Sequence, residues 1–120
     1  MGRAFRDTPR NIGVEAWEIA PQLRLLLDDA RYWVEHQTYG ADEIAVRFHH
    51  RLVWIHPFAN GNGRLSRLAA DLLIVALGQE RFTWGSGNLV AIADLRKRYL
   101  DALRAADGAV IEPLIEFARS

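Results

Sequence analysis

From His56 to Arg67 the chain reads His-Pro-Phe-Ala-Asn-Gly-Asn-Gly-Arg-Leu-Ser-Arg, and this break constrains the fold more than any other stretch. Helical apolar spacing runs up to it and resumes just beyond it. Pro57 disfavours a helical conformation at His56, so the helix carrying Ala45, Phe48, Leu52 and Ile55 on its apolar side must stop there. Ala59 to Gly63 is a loop by composition. The spacing then restarts with Leu65, Leu68, Ala69, Leu72, Leu73 and Ala76, and Ile74, Val75 and Leu77 fill another side. One helix end and one helix start are thereby brought together across a few residues. A helix as apolar as the second of these is expected to be central, surrounded by the others.

The same periodicity organises the rest. Leu23, Leu26, Leu27, Ala30, Trp33 and Val34 predict a helix to about His36, with Pro21 in its first turn. Gly40 breaks the pattern, and Asp42 is the expected N-cap of the next helix. Gly78 is placed to cap the helix after the break. A fourth helix is expected from about Leu89 to Ala106, stopping near Gly108, and a last from about Pro113 to Arg119. Residues 1–10 read as a polar lead-in. Asn11 to Ile19 alternates, with Ile12, Val14 and Ala16 on one side, which is the pattern of a small hairpin. The expectation is a single all-α domain over 1–120: a β-hairpin at 11–19 and about five helices in a core over 21–119.

Composition removes several function classes. A length of 120 residues suits one domain. Lys and Arg number 15 against 15 Asp and Glu, so the zero net charge argues against a nucleic-acid coat or a membrane-surface protein. Arg96-Lys97-Arg98 reads as a solvated helix face. Without cysteine there is no disulfide, thiolate nucleophile or thiolate zinc site. No apolar run approaches the roughly 20 residues that span a bilayer, and Met1 to Arg6 lacks a signal-peptide core. A cytoplasmic domain without membrane or nucleic-acid partners is expected.

The chemistry gathers at the break. The first amides of a helix lack intrahelical partners and, with the helix dipole, attract anions. Gly61 and Gly63 carry no side chain to keep a phosphate away from them. Arg64 and Arg67, one turn apart, add planar donors. Asn60 and Asn62 offer carbonyl or amide groups to a metal or an anion. His56, just ahead, is placed as a general base. The segment reads as a phosphate site with a base beside it. His49 lies on the apolar side with Ala45 and Leu52 and is expected to be a hydrogen-bonded structural histidine. Tyr99 and Trp84 are expected in the core. His49, His50 and His56 lack the i, i+4 spacing of a zinc helix.

The segment resembles the Fic-domain signature, HPFx(D/E)GNGRxxR, at all positions but one, and the likeness extends from about residue 11 to 119. Within the family it is similar to a small bacterial group known as mobile mystery protein B, in which Asn occupies the metal position. The resemblance implies an α-helical core and transfer of AMP from ATP, with magnesium, to a Ser, Thr or Tyr hydroxyl of a protein. It implies His56 as the base and Phe58 as the residue that packs into the core and holds the loop. Gly61, Asn62 and Gly63 become the anion hole, and Arg64 and Arg67 the clamp on the β- and γ-phosphates. Ile12, Gly13 and Val14 become a flap that aligns the target segment as an added strand.

Three departures follow. Asn60 stands where the family places a magnesium-binding acid, and a neutral amide is a poorer ligand for a hard cation. The family's inhibitory (S/T)xxxE(G/N) signature is absent from the sequence, and the chain starts almost at the flap. A truncated form, or restraint by an inhibitory partner or a further N-terminal segment, is therefore expected. A catalytically weak nucleotide-binding or regulatory module, and a Fic-type transferase using another phosphate-containing donor, stand as alternatives.

Overall fold

The computed structural model describes residues 14–56, 61–87 and 90–120. A short 3-10 turn, Ala16–Glu18, leads into α1 (Ile19–His36), followed by α2 (Ala41–Ile55), α3 (Asn62–Ala76), α4 (Ile92–Asp107) and α5 (Glu112–Arg119). The all-helical expectation holds, with five α-helices among the described residues. The hairpin does not. The lead-in and flap residues Ile12 and Gly13 lie outside the described residues, and among the described residues from Val14 onward no strand forms. Local bonds decide this. The Glu18 amide donates to the Glu15 carbonyl at 2.9 Å, and the Glu15 amide donates to the Glu18 carboxylate at 3.3 Å. That reciprocal closure starts a helix, and it overrides an alternation only a few residues long.

The centre of the bundle is α2, not α3. Ile44, Ala45, Val46, His49 and Ile55 of α2 are all buried, and α2 packs against α1, α3 and α5. It joins two clusters of apolar side chains. Ile55 packs with Val14, Ile19 and Leu26, while Ala45 and Val46 pack with Ala70, Ile74, Ala102 and Leu114. In α3 the inward side holds Ala70 and Ile74, both fully buried, while Leu68 and Leu72 on the other side are 50% and 64% exposed. An apolar run reports how much surface a helix wants covered, but not how many neighbours reach it.

Helix ends follow mostly local chemistry. Pro21 sits in the first turn of α1, where a missing N–H costs nothing. At the end of α3, Gly78 takes φ +88°; its amide donates to the Val75 carbonyl at 2.9 Å and that of Gln79 to Ile74 at 3.1 Å. This is the expected glycine-closed end. Asp42 departs from expectation. Gly40 takes the N-cap of α2, and Asp42 lies in the first turn. Its carboxylate receives both Nη2 and Nε of Arg119, at 2.6 and 2.9 Å, tying α5 to α2. A bidentate cationic partner outcompetes a backbone amide.

Candidate functional site

His56 caps α2 in the left-handed conformation, φ 52° and ψ 59°, with its amide donating to the Leu52 carbonyl at 3.0 Å. Its side chain is half-buried. Pro57, Phe58, Ala59 and Asn60 lie outside the described residues. The chain re-enters at Gly61, whose φ of +77° makes it the N-cap of α3, its carbonyl accepting from Leu65 at 3.0 Å. A Cβ at Gly61 would meet nothing within 4 Å, so backbone conformation rather than crowding calls for glycine. Asn62 begins the helix. Two residues into α3, a Cβ at Gly63 would stand 3.5 Å from Arg67 Nη1, so the guanidinium reaches back over the first turn. Arg64 is exposed. The start of α3 thus gathers Gly61, Gly63, Arg64 and Arg67, with His56 at the end of the preceding helix.

A cleft of about 530 Å³ opens beside Gly63 and Arg67, walled by Trp84, Arg96, Tyr99 and Phe117. The sequence motif contains none of these four. Its wall near residue 85 is tight. Gly85 has φ +83°, and a Cβ there would lie 3.0 Å from Leu95 and 3.1 Å from Phe117. Trp84 Nε1 donates to Asp71 Oδ1 at 3.1 Å, and Arg81 approaches the other oxygen of Asp71 at 3.6 Å. An aromatic directly after Arg96, Lys97 and Arg98 was the available signal for Tyr99, which is half-buried where those three are exposed.

His49 lies behind the cleft, fully buried, with Nε2 2.7 Å from the Tyr99 hydroxyl and its ring 4.6 Å from that of Trp84. Burial holds its pKa down at about 4, from an ordinary 6.5. The charges of Arg67 and His50 add to the fall, and the nearby Ser66 backbone opposes it. The Tyr99 hydroxyl is pushed up by burial, with Arg67 pulling against the shift. His50 turns elsewhere, to Asp107 Oδ1 at 2.8 Å.

A second, larger cleft of about 620 Å³ is lined by Gln22, Asp29, His50, Arg51, Trp54 and Asp107. Its charges answer one another, since Arg51 also pairs with Asp29 at 3.1 Å, and none of the described motif residues lines it. Among the described residues, no three His, Asp or Glu side chains are grouped to hold a metal ion. With a neutral amide at position 60, the donor set offers a hard cation less than a carboxylate would.

Residues 2–74, more than half of the chain, match the model of the Fic/DOC family. The chain belongs to that family. It is 34% identical, over 97% of its length, to protein adenylyltransferase Fic of Culex quinquefasciatus, and 27% identical to that of Aedes aegypti. It spans 22% of each of those proteins. Among solved structures, Fic-1 from C. elegans superposes with a TM-score of 0.74 at 24% identity, over 96% of this chain and 32% of that one. A Fic-domain-containing signaling protein from Bacteroides thetaiotaomicron gives 0.73 at 20% identity, over 94% and 48%. These two likenesses support the fold.

Proposed function

We propose that this domain is a protein nucleotidyltransferase that moves AMP from ATP to a Ser, Thr or Tyr hydroxyl of a protein. The observation that carries the reading is the start of α3, where glycine-flanked amides, Arg64 and Arg67 stand directly after a histidine-capped helix. Amides and guanidinium groups at a helix start favour phosphate oxygens. His56 takes the proton of the target hydroxyl as its oxygen bonds to the α-phosphorus. The bond from that phosphorus to the bridging oxygen breaks, and pyrophosphate leaves carrying the charge that the arginines and the Gly61–Gly63 amides stabilise. Such a displacement needs mainly in-line positioning and charge stabilisation. Magnesium belongs to the nucleotide here, and no step passes through a protein-held ion.

The test is incubation of the pure protein with ATP labelled at the α- or the γ-phosphate. Label from the α-position in protein supports AMP transfer. Label from γ alone would replace it with a kinase-like reaction. Neither label would favour a nucleotide-binding module of weak turnover, the reading to which the neutral Asn60 lends weight. His56→Ala should lower transfer by about two to four orders of magnitude and leave ATP affinity in place. Arg64→Ala should weaken ATP binding by about 1.5–3 kcal/mol if a charge-assisted contact is lost. Asn60→Asp adds the missing charge and should lower the magnesium concentration needed for half-maximal transfer. An unchanged magnesium dependence would remove Asn60 from the vicinity of the metal.

A further inference from the structure

Arg67 is backed by two side chains that the motif does not contain. Its Cζ lies 5.8 Å from the centroid of the Tyr99 ring, and Tyr99 Oη lies 2.7 Å from His49 Nε2. The donor inventory fixes the direction of this chain of contacts. Arg67 also acts on the Tyr99 hydroxyl itself, and because a guanidinium only donates, toward Arg67 that oxygen can only accept. The arrangement in which the hydroxyl proton points to His49 Nε2 as a bare acceptor puts the imidazole proton on Nδ1. That nitrogen is buried and has no partner at full hydrogen-bond geometry, while the Ser66 backbone is near enough to act on the ring. Among the described residues, the groups that act on or stack against His49 are Trp84, the Ser66 backbone, Arg67, Tyr99 and its neighbour His50. None is an acid that would hold the ring protonated, and burial keeps it neutral, as the acceptor role requires.

An apolar side chain would fill the same core position without leaving a polar atom unpartnered, so packing alone does not account for an imidazole there. We infer that His49 and Tyr99 are positioning residues for Arg67, holding its guanidinium ordered at the cleft wall so that it meets a phosphate oxygen already in place. The identity of that phosphate, the terminal part of a nucleoside triphosphate, rests on the function proposed above. The ordering of the arginine rests on geometry alone.

Two measurements separate these parts. In the nucleotide-free protein, ¹⁵N relaxation of the Arg67 Nε–H should show an ordered group that becomes mobile in Tyr99→Phe, which keeps the ring and loses only the hydroxyl. His49→Leu should do the same, and His49→Gln, which keeps an acceptor, should restore order. If His49→Leu fails to fold, Tyr99→Phe and His49→Gln still give the comparison. An Arg67 as ordered in Tyr99→Phe as in the wild type overturns the inference, whatever the nucleotide does. By calorimetry, Tyr99→Phe should weaken ATP binding by about tenfold, leave AMP nearly unchanged, and add nothing once Arg67 is alanine. If Arg67 loosens while ATP affinity holds, the positioning stands and the triphosphate reading of the site falls.

Discussion

His49 carries a pH signature that follows from where it sits. Its folded-state pKa is depressed to about 4, chiefly by burial, while the unfolded chain titrates near 6.5. Between those values the unfolded state binds more protons, so stability is fully present above about 6.5 and drains away as pH falls toward 4. From pH 7 to pH 5 this one ring should remove about 2 kcal/mol of unfolding free energy. His49→Gln should flatten that part of the stability curve in urea titrations at several pH values; an unchanged slope would mean that another group titrates there. That His49 is buried and hydrogen-bonded was legible from its place between Ala45 and Leu52 on an apolar side. Its partner was not, because Tyr99 is 50 residues away and nothing local links the two.

Element ends were read well where a single residue decides them, as Gly78 and Pro57 do. They were missed where a distant partner intervenes, as Arg119 does for Asp42, or where a reciprocal bond such as Glu15 with Glu18 starts a turn early. The two sides of α3 show the corresponding limit in energetic terms. Leu72 is 64% exposed and Ile74 fully buried, although both belong to the same apolar run. Leu72→Gln should change the unfolding free energy by no more than about 0.5 kcal/mol, whereas Ile74→Ala should cost about 2–5 kcal/mol. Chemical denaturation of both variants checks the contrast. Equal losses would mean that the outer side of α3 is covered in solution.

Taken as a whole, the molecule builds its cleft from stretches that the sequence does not bring together: the start of α3, the turn at 84–87, one side of α4, and Phe117 on α5. Only the first is marked by a motif. The rest are brought together because α5 binds the turn. The Ala118 carbonyl accepts from both the Thr83 and Trp84 amides at 2.9 Å, and the Thr83 hydroxyl donates to the Ser120 carbonyl at 2.6 Å. Native-state hydrogen exchange should therefore report one shared opening free energy for the Thr83 and Trp84 amides and the closing turn of α5, because these bonds break in a single cooperative event. Exchange at Thr83 and Trp84 that is fast while α5 stays protected would contradict this. If the coupling holds, the cleft breathes only when α5 undocks, and a ligand gripping Trp84 would slow solvent exchange as far away as the closing turn of α5.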